Sequence, residues 1–330
     1  MLKVLLVCAL VIVGFAVVGA IYERIAEIRV ARRHPPSGRL VEIGGRRLHL
    51  LCKGDAPGPT VVVEQGAASP SVVWEPIQAQ IAAFSRVCLY DRAGYGWSDP
   101  APAGRSLTDR ADDLYKLLAA AGVPGPYILV AHSYGGAISR AFAAKYRADV
   151  AGLVLVDAPE EAVIFRPAFA DYRRKFLGMV SIGKGAARLG LVRLIMSAIS
   201  RPEGGMTPDM NDRMVGFISN PSFGDPLGDE LASLAKGREE LKATGGAGGL
   251  GDLPLVVITH EKPFPGFAAL LEPGWREGQE RLAQLSSQGR LVVAHKSNHM
   301  IHAEEPELVL DAVRRVRAQA ASRAPAKVGT

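Results

Sequence analysis

Residues Tyr127–Gly136 read YILVAHSYGG. The apolar run Tyr127–Ala131 predicts a buried strand, His132-Ser133-Tyr134 turns the chain, and Gly135-Gly136 opens a helix. A serine held at a tight strand-to-helix turn has its Oγ pushed clear of the sheet. The first turn of the following helix offers that oxygen unpaired backbone N–H groups and a positive dipole end. This is a setting for a nucleophile in acyl transfer, and Ser133 is the candidate. The two glycines let helix and strand pass closely, since a Cβ there would crowd the turn. The run departs from the G-x-S-x-G pattern at Ala131, where alanine is the smallest substitute for the first glycine.

Outward from this turn, strands and helices alternate. Arg39–Ile43 and Arg46–Cys52 flank Gly44-Gly45, a hairpin signal. Thr60–Glu64 (TVVVE) is a buried strand that leaves through the small-residue loop Gln65–Ala68. Helical spacing over Trp74–Phe84 precedes the strand Val87–Tyr90 and the glycine-rich loop Asp91–Ser98. Ser106 and Asp109 form a capping pair for a helix running to about Ala121, which Gly122 and Pro124 end. Beyond the opening stretch come a helix to Tyr146 and the strand Gly152–Val156, closing on Asp157. Strands spaced by helices of this length predict an α/β fold, a mostly parallel sheet with helices on both faces.

From Pro159 to Gly251 the alternation stops. Helical segments such as Phe169–Val180 and Ala186–Ile199 read as a helical lid inserted over the strand ends. Phe165, Phe169, Phe176, Leu177, Met179 and Met196 are candidates to line an apolar pocket, although helical spacing fits core positions as well. The pattern resumes with the strand Leu253–Thr259, a helix over Glu277–Leu285, the strand Leu291–Ala294 and a last helix over Glu307–Ala320. The expected plan is a core of residues 39–158 and 252–321, a lid at 159–251 and a frayed tail at 322–330.

The N-terminus is a separate feature. Every residue from Val4 to Ile21 is apolar or glycine, long enough to cross a bilayer as a helix. It reads either as a retained single-pass anchor or as a signal peptide cut after Val18-Gly19-Ala20. Residues 23–38, rich in charge, read as a surface helix or linker. The flanking charges leave the side of the membrane open. The 330-residue chain, 48% hydrophobic, is large enough for one α/β core plus an insertion. Its net charge of +6 is scattered, without stacked aromatics and arginines, so nucleic acid is not an expected partner. Cys8, Cys52 and Cys88 lack metal-ligand spacing. With no metal cluster and no P-loop, the sequence implies no cofactor.

An activated serine needs a base within reach, and the base needs a carboxylate to hold its tautomer. His299, in SNHMIHAEEPELV after the final strand, is the expected base; His302, the competing candidate, is given a supporting role. Asp157 ends the strand after the nucleophile helix, at the carboxyl edge of the sheet where open α/β folds bind ligands. Glu261, just past the strand Leu253–Thr259, is its rival as the acid. The N–H groups of Ala67 and Tyr134 are the expected oxyanion donors.

Taken together, EQGAAS, YDRAGYGWSD, VAHSYGG, LVLVDAP and SNHMIHAEEPELV make the chain from about Arg39 to Ala320 resemble the α/β-hydrolase fold enzymes. The resemblance implies an eight-stranded, mostly parallel sheet, with Ser133 as nucleophile, His299 as base, and Ala67 and Tyr134 as oxyanion donors. Gln65 stands where that family commonly has a histidine. The family's commonest acid position falls on Pro263, whereas a subgroup of haloalkane dehalogenases carries its acid one strand earlier, at the place of Asp157. Dehalogenases and epoxide hydrolases of this fold use an aspartate nucleophile, so Ser133 argues against both. In this fold the second strand neighbours the fourth, which implies that Cys52 and Cys88 are close and could pair in an oxidising compartment. The expected function is a membrane-anchored or exported serine hydrolase acting on an apolar carboxylic ester. An amidase, thioesterase or perhydrolase with the same triad, or a non-catalytic binding protein of the same fold, are the alternatives.

Overall fold

The computed structural model describes residues 1–323, so nearly all of the tail expected at 322–330 lies outside the described residues. The chain runs α1 (Leu2–Arg33), β1 (Arg39–Glu42), β2 (Arg47–Lys53), β3 (Thr60–Glu64), α2 (Glu75–Ile81), β4 (Val87–Tyr90), α3 (Leu107–Ala120), β5 (Tyr127–His132), α4 (Tyr134–Lys145) and β6 (Val150–Val156). A helical insertion follows: α5 (Glu161–Ile164), α6 (Pro167–Arg188), α7 (Leu191–Ile199), α8 (Pro208–Ile218), α9 (Asp225–Lys236) and α10 (Arg238–Lys242). The chain returns through β7 (Leu255–His260), α11 (Trp275–Ala283), β8 (Gly289–Ala294), α12 (Ile301–Glu304) and α13 (Pro306–Arg323).

The strands form one eight-stranded sheet in the order β1-β2-β4-β3-β5-β6-β7-β8. β2 pairs antiparallel with β1 and β4, and the other pairings are parallel. β5 shows why its sequence is continuously apolar. Alternate residues point to opposite faces, and both faces are covered. Ile128 and Val130 meet Ile77, Ile81, Val309 and Val313 on one side. Leu129 and Ala131 meet Leu114, Ile138 and Phe142 on the other.

The order turns at β3: the chain goes to one side of it for β4 and returns to the other side for β5. The loops leaving the carboxyl ends of β3 and β5 therefore face one crevice, where open α/β sheets bind ligands. Ser106 and Asp109 form the expected reciprocal cap of α3. Cys52 lies directly opposite Cys88 across the β2–β4 pair, and the two are joined in a disulfide.

Residues 23–33 are helical, one of the two readings of this stretch, and are continuous with α1; Glu23 within them is buried in an ion pair with Arg193 of α7. The helices of the insertion differ from the sequence reading. The helical segments expected at 169–180 and 186–199 divide later. α6 runs through Gly183 and Gly185 to Arg188, and the break falls at Gly190, in the left-handed conformation that glycine adopts most readily.

Candidate active site

Ser133 sits between β5 and α4 with φ 50° and ψ −126°, a conformation costly for a residue with a Cβ and concentrated at functional sites. Its N–H donates to Val156 O at 3.0 Å, which ties the turn to β6. The close approach expected of the glycines is present. A Cβ on Gly135 would stand 2.7 Å from Gln65 O and still closer to Glu64 O; one on Gly136 would meet Ala158 Cβ. The β3 loop is thereby pressed onto the start of α4. Gly66 in that loop has no room for a Cβ either, since it would lie 2.8 Å from His132 Nδ1.

Ala67 and Tyr134 line the same cavity as Ser133. Among the described residues neither backbone N–H donates to a protein acceptor. Unpaired amides are unusual in a protein interior, and two beside one serine suit a developing oxyanion. The loop is held from behind by Arg92, a buried side chain the sequence did not single out. Its Nη1 donates to Glu64 Oε1 and Gln65 O, both at 2.7 Å, its Nη2 to Gly66 O at 2.6 Å and its Nε to Glu230 Oε1 at 2.7 Å. Gln65 turns its side chain into the core, where Nε2 donates to Tyr90 O at 2.8 Å. Replacing Gly135 by alanine is expected to push this loop off α4, lowering kcat by about 10²–10³-fold and stability by about 1–3 kcal/mol. Steady-state kinetics and urea unfolding of the variant would check it.

Asp157 follows β6, also at φ 50°, and is fully buried. His299, on the loop after β8, donates from Nδ1 to Asp157 Oδ2 at 2.6 Å. That leaves Nε2 of His299 free of the proton, and His299 lines the cavity with Ser133. His132 Nε2 donates to the backbone oxygen of His299 at 2.9 Å, holding the loop in place. The fold thus brings Ser133, Asp157, His299, Ala67 and Tyr134 together. It separates the rivals: Glu261 is exposed and accepts from His295 Nδ1 at 2.8 Å. His302 stacks on Trp74, rings 4.4 Å apart and 7° from parallel, and lies against His132, but neither of its ring nitrogens has a hydrogen-bond partner among the described residues. Burial, then the nearby charge of His299, lowers the His302 pKa to about 3.

Two further residues contact the carboxylate and a third stands behind them, and none has a local sequence signal. His260, at the end of β7, donates from Nδ1 to the same Asp157 oxygen at 2.6 Å, and its backbone N–H reaches Asp157 Oδ1 at 3.2 Å. Trp275 Nε1 donates to Oδ1 at 2.9 Å. Glu272 lies 3.4 Å from His260 Nε2. Burial by itself would raise the Asp157 pKa, but hydrogen bonds from His260 and His299 outweigh it and hold the carboxyl well below the usual range. Asp157, His260 and His299 offer ligand atoms within 4.8 Å of one another, yet the 2.6 Å separations are those of charge-assisted hydrogen bonds. A cation there would have to displace both Nδ1 protons.

Burial lowers the His260 pKa, but the hydrogen bond and charge of Asp157, with Glu272 behind it, leave it raised overall. A raised folded pKa stabilises fully below the unfolded value, about 6.5, and the contribution is lost as pH climbs through the folded value. The melting temperature is therefore expected to fall on the alkaline side of neutrality, and His260→Asn to flatten that slope. Melting curves of both proteins from about pH 6 to about pH 9 would show it.

The cavity over Ser133 is about 380 Å³ and mostly apolar. Phe169 and Phe176 line it as expected, together with Tyr172, Met214, Ile218 and Leu231. The other expected lining residues lie elsewhere: Phe165 and Leu177 pack on the core, Met179 is exposed and Met196 is half-buried. A second cavity, about 430 Å³, opens between Arg92 and α9. Its charged walls are already paired, Arg110 with Asp229 and Arg105 with Asp113, each at 2.8 Å.

The fold has counterparts among known proteins. Residues 59–181 match the family model described as alpha/beta hydrolase fold. The chain is 29% identical to YqjL of Bacillus subtilis over 267 residues, 81% of this chain and 87% of that protein. Among solved structures it is similar to the Cif epoxide hydrolase of Acinetobacter nosocomialis (TM-score 0.67, 18% identity, 90% of this chain and 96% of that one). It is also similar to a thermophilic esterase of Thermogutta terrifontis (TM-score 0.60, 21% identity, 85% and 97%). With its family-model match over residues 59–181, its sheet order and these structural likenesses, the chain has the α/β-hydrolase fold.

Proposed function

We propose that the protein is a serine hydrolase that cleaves carboxylic esters through an acyl-enzyme. The observation that carries the reading is the 2.6 Å hydrogen bond from His299 Nδ1 to the buried Asp157 carboxylate, beside a serine in a strained turn on the same cavity wall. His299 Nε2 takes the Ser133 proton as Oγ bonds to the carbonyl carbon. The N–H groups of Ala67 and Tyr134 receive the oxyanion, and the alcohol leaves with the proton returned by His299. Water, deprotonated by the same imidazole, then cleaves the Oγ–acyl bond and regenerates the serine. Asp157 keeps the tautomer that leaves Nε2 free and stabilises the imidazolium that forms.

The helical insertion acts as a lid whose aromatic side chains select an apolar acyl group. One solved neighbour is an epoxide hydrolase, but at 18% identity that likeness carries the fold alone, and the turn residue here is a hydroxyl. Helix α1 serves as a single-pass anchor: its apolar part, Leu2–Tyr22, is exposed except at half-buried Ala16 and Gly19 and suited by length and composition to a bilayer.

The test is a fluorophosphonate probe on the full-length protein in detergent, followed by a panel of esters of graded acyl length. Covalent labelling that is lost in Ser133→Ala, with turnover rising with acyl length, is the expected result. A folded protein that never labels and hydrolyses none of the esters would be a binding protein of the same fold.

A further inference from the structure

Helix α7 is amphipathic in the reverse sense. Leu191, Leu194, Ile195 and Ile199, at i, i+3, i+4 and i+8, form one helical face, and all are exposed. The charged residue of this helix, Arg193, is the one that is buried. Met179 and Ile182 of α6, and Leu189 just after it, extend the exposed apolar surface, and no described residue covers it. In water such a surface is a liability, and its presence points to an apolar partner.

Helix α1 identifies the partner. Leu2–Tyr22 spans about 31 Å as a helix, close to the thickness of a hydrocarbon core. The helix continues unbroken past that span and is fastened to the insertion where the apolar run ends. Glu23 takes a bidentate ion pair from Arg193, with Nε to Oε2 at 2.9 Å and Nη2 to Oε1 at 2.5 Å, both side chains buried.

Just inside the span, a Cβ on Gly19 would stand 2.5 Å from Leu189 O, and one on Gly190 would stand 2.5 Å from Tyr22 Cδ1. Two glycines thus allow α1 to lie against the α6–α7 turn at the level where the span ends. Further along, Val30 packs against Gly216 of α8 and Trp97 Nε1 donates to His34 O at 3.1 Å. An apolar face fixed at that level meets the acyl–headgroup boundary. Arg188 and Arg201, exposed at either end of this segment, suit anionic headgroups.

We propose that α7 and the C-terminal end of α6 are seated in the membrane surface as a second contact beside α1, so that the Ser133 cavity draws its substrate from the bilayer. The substrate class is then an ester of a long acyl chain dissolved in lipid. This part rests on the ester-hydrolase reading above. Helix α6 joins the two places: Phe169, Tyr172 and Phe176 line the cavity, and Ile182 lies about 9 Å further along the same helix.

The seat is tested on the full-length chain carrying Cys8→Ser, in phosphatidylcholine–phosphatidylglycerol vesicles. Nitroxide labels are placed at Ile195→Cys, Ile199→Cys and, as a water-facing control, Ser287→Cys. Labels at 195 and 199 are expected to be relaxed by oxygen and protected from a water-soluble nickel chelate, with the reverse at 287. Equal access of the chelate to all three sites would overturn the membrane seat. Shielding from both reagents, with broadening that grows with label density, would assign the face to a second copy and overturn it too.

The substrate route is tested with Leu194→Ser/Ile195→Ser/Ile199→Ser, which remains anchored by α1. Hydrolysis of a long-chain ester carried in the vesicles is expected to fall roughly tenfold, while a water-soluble short-chain ester is cleaved as before. Equal rates on the vesicle ester would overturn the route. Wild-type protein that cleaves neither ester would overturn the ester reading and the route with it, whereas the nitroxide contrast decides the seat independently.

Discussion

Ser133→Ala is expected to lower kcat for ester hydrolysis by about four orders of magnitude or more, with substrate binding retained. The hydroxyl is the only group lost: the turn, the unpaired N–H groups of Ala67 and Tyr134 and the apolar cavity wall all remain. A residual rate above that in water is expected from those donors. The strain at this position gives the prediction a second arm. Ser133 holds φ 50° and ψ −126°, which glycine adopts without penalty. Ser133→Gly is therefore expected to abolish turnover while raising stability by about 1 kcal/mol. An inactive variant that melts above the wild type would mark the turn as kept for chemistry at the expense of stability. If Ser133→Ala retained ordinary turnover in a titrated, folded preparation, the nucleophile assignment would fail.

The second large effect is expected at Asp157. An asparagine offers one oxygen and one NH2 group in place of two acceptors, while four donors converge on this side chain: Nδ1 of His299, Nδ1 and the backbone N–H of His260, and Nε1 of Trp275. The NH2 group must face one of them. At His299 the remedy is to move the ring proton to Nε2, the atom that has to accept the Ser133 proton. Asp157→Asn is expected to lower kcat by about 10⁴-fold. Because His260 loses its counter-charge as well, the alkaline fall in stability described above should disappear with it. Glu261→Gln is the control, and since Glu261 is exposed and bonded to His295, activity should be unchanged. Stopped-flow labelling by a fluorophosphonate, alongside ester turnover, would read both variants. A large loss in Glu261→Gln with little in Asp157→Asn would reverse the assignment of the acid.

The elements of this site differ in how plainly the sequence displayed them. The Ser133 turn was legible because each of its signals is local: a continuous apolar strand, a polar turn and paired glycines act within ten residues of one another. The reciprocal cap of α3 and the TVVVE strand were legible for the same reason. The burial of Glu23 was not, because its charge read as solvated and its partner Arg193 is 170 residues away. The insertion helices misled in the same way. Their spacing predicts helices over 169–180 and 186–199 but does not say which side each apolar residue faces, and Met179 of α6 and Met196 of α7 point away from the cavity.

The amino-acid sequence by itself determined the period of each element, the serine turn, the histidine after the last strand and the apolar N-terminal span, because φ/ψ preference and hydrophobic periodicity act over a few residues. Which carboxylate meets His299, and which other groups crowd it, only the tertiary structure decided. Asp157, His260, Trp275 and His299 leave different strands and loops, and the parallel sheet order brings their carboxyl ends to one edge. Hydrogen bonds between residues 142 apart in the chain leave no trace in local pattern, since nothing but the register of β6, β7 and β8 sets the distance between them.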